Sequence, residues 1–309
     1  MVAVYVNFTL LRVLGMMARS QIAVVRPGVM TMSDADLFRP KGPRDGQYET
    51  FLIEKRGAVD WVTLNRPESL NSMSRTMMLE LQHYFGELYT DHSVRIVVLR
   101  GAGRAFCAGL DLKQERAEGE AGPVAGLRVQ RRVSEIVMRM RRAPQPIISL
   151  VHGAASGGGF ALALASDIRI AGPKARMNAA FIRIGLTACD VGVSYFLPRL
   201  VGASLASELL LTGDFIDAER ALRLGLVSDV VDEAELEARA QRSIDMILAN
   251  SPVGVRLTKE ALNMNIDAGS LEAAIAIEDR QQILSAQTAD MREGISAFLE
   301  KRPPQYRDG

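Results

Sequence analysis

Two glycine-rich stretches carry the chemistry that can be read first. One, Arg100 to Lys113, reads RGAGRAFCAGLDLK, and the other, His152 to Asp167, reads HGAASGGGFALALASD. Each comes after an apolar run suited to a buried strand, RIVVLRG or PIISLV. A strand that turns through glycines into a helix leaves the first N–H groups of that helix without acceptors. With no Cβ in the way, a ligand atom can approach those groups closely. The helix dipole adds positive potential at the same place. Such a turn suits an anion, or an oxygen that gains negative charge during a reaction. Two such turns can converge on one oxygen, with one N–H from each. A glycine run also serves close strand–helix packing alone, and one turn by itself does not separate the two readings.

Side chains able to move a proton are sparse near these turns. Asp111 adjoins the first turn, and its side chain is expected to point away from any ligand held there. Asp167 ends the second and is expected to cap or pair structurally. Asp190, in IGLTACDVGVSYFLPRLVG, is either a proton carrier or the N-cap of the helix that VGVSYFLPRL predicts. Cys189 and Tyr195 are its neighbours and candidates for lining a pocket, although Cys107 and Cys189 both suit buried structural thiols. Arg183 is expected on the surface. His152 is expected at a strand end with its ring satisfied locally, and His83 and His92 are expected exposed. No pair of histidines has metal-ligand spacing.

The elements that must position these groups alternate. FLIEKRGAVDWVTLN predicts two strands around a turn at Gly57. SRTMMLELQHYFGELY places Met77, Leu81, Phe85 and Leu88 on one helical face with Ser74 as N-cap. The strand RIVVLRG, a helix near Val124–Met140, the strand PIISLV, the helix FALALA and the strand DIRIA follow. This alternation argues for an α/β fold with mostly parallel pairing. After Gly202 the pattern turns helical, with Asp217, Asp232 and Ser251 as N-caps and Gly225 just past a helix end.

The chain has 309 residues with 48% hydrophobic content, enough for a substantial core. Its 37 basic and 36 acidic side chains leave a formal charge of +1, so nothing demands nucleic acid or a charged membrane. Two cysteines make no disulfide framework, and no apolar run reaches the ~18 residues of a transmembrane helix. A reduced, cytoplasmic protein is expected. Residues 1–26 hold three arginines and no acid, a pattern shared by interfacial helices and poor export signals. The simpler expectation is a start at Met30 or Met32, with residues 1–45 a flexible extension outside the fold.

The two glycine segments, with LNRPESLNSM at Leu64–Met73, resemble the enoyl-CoA hydratase/isomerase, or crotonase, family. The resemblance runs on through SDIRIA, IGL, LPRLVG, ELLLTGDFIDAERALRLGLVSDVV, SPVGVRLTKEAL and EGISAFLEKRPPQY, covering about Phe51 to Tyr306. It implies an α/β superhelix of ββα turns over 46–203. It also implies a helical C-terminal region over 204–309 that assembles a homotrimer or a dimer of trimers. The implied ligand is an acyl-CoA thioester, with coenzyme A brought in by the substrate and no other cofactor, metal, nucleic acid or membrane. By residue match the oxyanion donors are the N–H groups of Leu110 and Gly158, with Ala108 and Gly157 beside the substrate. Lys113 matches a basic residue near the CoA phosphates. Phe298 and Lys301 fall in a segment that covers CoA.

Hydratases of this family use two glutamates. Here Ala161 and Phe181 stand at the matching places, beside the substrate but without a carboxylate. Asp190 matches an aspartate that carries a proton in members isomerising dienoyl-CoA, or attacks in members displacing halide from an aromatic acyl-CoA. The resemblance therefore implies an acyl-CoA enzyme favouring isomerase-like proton transfer through Asp190 over hydration. The alternative is an acyl-CoA binding protein without catalysis. Clp-type serine proteases share the superhelix, and Ser156 lies near their nucleophile position, but a glycine triplet occupies the helix start where they present serine.

Overall fold

The computed structural model describes residues 40–114 and 122–309, so most of the expected 1–45 extension lies outside the described residues. β1 (Phe51–Arg56) and β2 (Val59–Leu64) form an antiparallel pair around Gly57, whose φ of +61° suits a residue without Cβ. β3 (Ile96–Gly101) and β4 (Ile147–Val151) add in parallel, both rich in fully buried aliphatics because each face of the sheet is covered. β5 (Ala154–Ser156) leaves this sheet, and β6 (Ile168–Ala171) returns to it beside β4. β7 (Arg176–Asn178) and β8 (Ile216–Asp217) join β5 in a second, three-stranded sheet, while β9 (Asp229–Val230) closes the first.

Two isolated bridges, Met73 with Leu110 and Cys107 with Ala155, extend the second layer beyond its three strands. The chain therefore repeats one unit: a strand in the large sheet, a short extended segment in the second layer, then a helix. β2 leads through 70–73 to α1 (Arg75–Glu87), and β3 leads through 106–111 towards α2 (Pro123–Arg142). β4 and β5 lead to α3 (Gly158–Ala165). β6 and β7 lead to a 3₁₀ turn, Ala180–Ile184, and α4 (Val193–Val201). This is the expected superhelix of ββα turns. The short second-layer strands gave no sequence signal, because two or three residues are too few to show a period.

Local chemistry fixes the ends. Ser74 accepts the Met77 N–H at the start of α1, and Met77, Leu81, Phe85 and Leu88 are all buried. Every residue of α3 is buried, which accounts for the absence of a polar face in GGFALALA. The C-terminal part consists mainly of α5 (Ala203–Thr212), α6 (Ala218–Arg223), α7 (Leu236–Leu248), α8 (Pro252–Asn265), α9 (Leu271–Ala286) and α10 (Ala289–Glu300). Asp217 and Ser251 cap α6 and α8 with their side chains. Asp232 does not cap α7 as expected: it precedes a 3₁₀ turn, Glu233–Glu235, makes no side-chain cap bond, and leaves Glu235 at the N-cap of α7. Among the described residues no helix is long and apolar enough to cross a membrane.

Candidate active site

The two glycine turns meet. Met73 donates its N–H to Gly109 O at 2.7 Å, and Asp111 donates to Met73 O at 3.1 Å. This alternation turns the Leu110 N–H away from Met73, towards the side where β5 and α3 lie. Gly109, at φ +95°, packs against that turn: a Cβ there would fall 2.7 Å from Ser156 O and 3.4 Å from Gly158 N. Gly157, at φ +52°, donates to Asn178 O at 2.9 Å and swings the chain from β5 into α3. Gly158 is the first residue of α3, so its N–H has no acceptor within the helix. Among the described residues neither the Leu110 nor the Gly158 N–H has a hydrogen-bond partner. Two orphan donors and the positive end of a buried helix thus share one small region.

Beside them lies an apolar recess of about 180 Å³. Met73, Gly158, Ala161 and Leu162 form one wall, α2 supplies Val133, Ile136 and Val137, and Val191 closes a side. The Phe181 ring packs over Gly157, where a Cβ would lie 3.4 Å from ring Cε1.

Asp190 stands next to this lining, half-buried, without itself forming part of it. Its carboxylate Oδ1 accepts the Val191 N–H at 2.7 Å and a hydrogen bond from the Gln130 side chain of α2. Burial raises its pKa above the ordinary aspartate value, and the two hydrogen bonds oppose that rise. Asp190 is not the side-chain N-cap that the sequence pattern suggests. α4 begins at Val193 with Gly192 as N-cap and no side-chain cap, and Asp190 contributes only its backbone C=O, to Val193 N–H at 2.8 Å. Val191, β-branched, holds a φ of +39°, a strained backbone position at the recess.

The family model for enoyl-CoA hydratase/isomerase matches residues 54–309. The chain belongs to that family. A probable enoyl-CoA hydratase of Mycobacterium bovis is 41% identical over 83% of this chain and 92% of its own length. The 1,2-epoxyphenylacetyl-CoA isomerase of Escherichia coli is 37% identical over 84% of this chain and 98% of its own. The crystal structure of a probable enoyl-CoA hydratase/isomerase from Mycobacterium abscessus has a TM-score of 0.77 at 38% identity, covering 84% of this chain and 99% of that one. The protein is therefore an acyl-CoA enzyme of the enoyl-CoA hydratase/isomerase type with the crotonase fold.

Other candidates fall in different places. Asp111 pairs with Arg66 at 2.9 Å. Burial pushes its carboxyl up, but the Arg66 bond and the Gln114 N–H outweigh that and leave it below the ordinary range. Asp167 accepts the Ile147 N–H and pairs with Lys259, both at 2.8 Å, a structural arrangement as expected. Cys107 is buried and its thiol is pushed up to about 12 by desolvation. Cys189 is exposed, against expectation, because it lies on the outer side of the loop that carries Asp190. Tyr195 does not line the recess: its hydroxyl donates to Asp267 at 2.5 Å, and Arg199 stacks 3.8 Å over its ring.

His152 bonds Gly103 O at 2.9 Å, as a locally satisfied ring. His83 is half-buried rather than exposed, because Tyr48 bonds its Nδ1 at 2.9 Å, while His92 is exposed. Arg183 is on the surface beside Asp214. Ala108 donates to Leu70 O at 3.0 Å in the Leu110 segment. Lys113 is exposed, and so are Phe298, at 83%, and Lys301, so within one chain these three contribute nothing to the recess. Among the described residues no cluster of His, Cys, Asp or Glu is arranged to hold a metal ion. Sequence reasoning missed Met73 and Gln130. Met73 ends the LNRPESLNSM motif, whose sequence does not show where its side chain points. Gln130 lies 60 residues from Asp190, in a helix with no chemical signal of its own.

Proposed function

We propose that this enzyme moves a proton along an acyl-CoA thioester and does not hydrate it at rates normal for a hydratase. The thioester oxygen sits between the Leu110 and Gly158 N–H groups, which donate to it at the positive end of α3. As the α-carbon loses its proton, charge builds on that oxygen and both bonds strengthen, which is where catalysis is gained. Asp190 takes the proton from one carbon and returns it to another, so the double bond shifts and no atom is added. A carboxylate beside an apolar recess with a raised pKa suits that role. Coenzyme A arrives as part of the substrate and no further cofactor takes part.

One observation carries the reading. The recess wall beside Gly158 is Ala161, 1% exposed, the second position matched to a hydratase acid holds the Phe181 ring, and the carboxylate next to the lining is Asp190. Without either acid, activating water loses ~10²–10⁴ in rate per missing group. The name of the Escherichia coli relative as an acyl-CoA isomerase supports the same direction. A trimer, or a dimer of trimers, in the cytoplasm completes the proposal. Exposed Leu271, Ile283 and Leu284 on α9 and Phe298 and Leu299 on α10 support an assembled state.

The test is incubation with a panel of 2-enoyl- and 3-enoyl-CoA thioesters in deuterated water. Mass spectrometry and NMR then read isomer change, deuterium uptake and added water. Isomerisation with deuterium uptake and no added water is the expected result. Hydration at ordinary enzyme rates, with a median of ~10 s⁻¹, overturns the proposal.

A further inference from the structure

We propose that Met73 sets the size of the acyl group this enzyme accepts, admitting compact apolar acyl groups and excluding long chains. The proposal rests on the placement of the thioester oxygen between Leu110 and Gly158.

Met73 touches the site three ways. Its backbone N–H and C=O bond Gly109 and Asp111, the residues on either side of Leu110. Its side-chain methyl lies on Gly158, where a Cβ would overlap it. The same side chain lines the recess with Ala161. An acyl group whose thioester oxygen reaches both N–H donors must therefore run past the Met73 methyl to enter the recess.

The recess is small. The space between its lining side chains is only about 180 Å³, part of it open to solvent. The opposite wall does not yield readily: Ile136 and Val137 are buried, β-branched and held in α2. Met73 is the unbranched residue in the lining, and its thioether fills irregular space by rotation about single bonds. Its backbone is fixed by the bonds that set Leu110, so size can change only through its side chain. The lining side chains are apolar, so a polar substituent on the acyl group would be buried without a partner.

The test uses the full-length protein and titration calorimetry with butanoyl-, octanoyl- and dodecanoyl-CoA. The parent binds butanoyl-CoA more tightly than dodecanoyl-CoA. Met73→Ala raises the dodecanoyl-to-butanoyl affinity ratio about tenfold or more, since each extra buried methylene gains affinity. Met73→Phe fills the recess and lowers octanoyl-CoA binding relative to butanoyl-CoA, and Met73→Leu keeps the parent order. A merely structural role for Met73 would weaken all three ligands together and leave the ratios alone. Unchanged ratios in both the alanine and phenylalanine variants overturn the proposal while leaving the oxyanion reading intact. If the parent binds none of the thioesters, the placement of the thioester itself is wrong, and this proposal falls with it.

Discussion

Gln130 and Asp190, on different elements, are joined by a hydrogen bond from the glutamine side-chain amide to Oδ1 of the aspartate. The Val191 N–H reaches the same oxygen. Oδ2 has no hydrogen-bond partner among the described residues. The carboxyl group is thus held by one oxygen and leaves the other for a proton. The helix that supplies Gln130 also supplies Val133, Ile136 and Val137 to the recess, so one rigid element sets both the wall and the carboxylate.

Asp190→Asn keeps the shape and removes the ability to carry a proton. Under the proposed role, turnover on the best substrate falls ~10²–10⁴ while acyl-CoA affinity and folding stay near those of the parent. Steady-state kinetics beside calorimetry separates the two. Parent-like turnover would remove Asp190 from the chemistry and return a structural role to it.

Gln130→Leu acts on the same carboxylate through its pKa. Burial already raises that pKa, and the Gln130 bond is one of the two contacts holding it down. Losing the donor removes stabilisation of the ionised form, so the pKa rises further. If the ionised form is the active base, the acid limb of the kcat/KM profile moves to higher pH in the variant. A limb that stays in place would mean that Gln130 does not tune this group.

Gly158 offers a comparison between keeping and deleting a donor. Proline is tolerated at the first position of a helix, so Gly158→Pro removes the N–H while leaving α3 able to form. Gly158→Ala retains the N–H, but its Cβ would fall 2.1 Å from the Met73 methyl, so that flexible side-chain end must move aside. The proline variant is expected to lose ~10²–10³ in turnover and the alanine variant clearly less. Equal losses would show that crowding, not the missing N–H, is responsible.

The large sheet and its helices were legible because RIVVLRG, PIISLV and SRTMMLELQHYF carry strong apolar patterns. The convergence of the two glycine turns was suggested by sequence, but only the Gly109–Gly158 packing gives it geometry. What was not legible depended on contacts between distant segments. The exposure of Cys189, the tie between Tyr195 and Asp267, and the Gln130–Asp190 bond are all set by tertiary packing. Asp190 looked like a helix cap because the helix pattern starts close behind it. The left-handed pair Val191–Gly192 delays the helix by two residues and frees the side chain from that job.

Lys259 contributes to stability through a buried ion pair. It is 6% exposed in α8, and its Nζ lies 2.8 Å from Asp167 Oδ2 and 2.7 Å from Gln145 O, binding the C-terminal helices to the end of α3. Burial lowers its pKa below the ordinary lysine value, and Asp167 opposes that fall. Breaking a buried pair by removing one partner costs about 3 kcal/mol, so Lys259→Met should lose on that order in urea unfolding. Asp167→Asn is the more telling variant, because it leaves the ammonium buried without its counter-charge. The lysine pKa then falls further, and the unfolded chain binds the proton more tightly than the folded one. Stability therefore rises with pH between the depressed folded value and the ordinary ~10.4. The Asp167→Asn variant should regain stability against the parent as the pH is raised from ~7 towards ~10. A deficit that stays constant across that range would show that Lys259 is not held charged by Asp167.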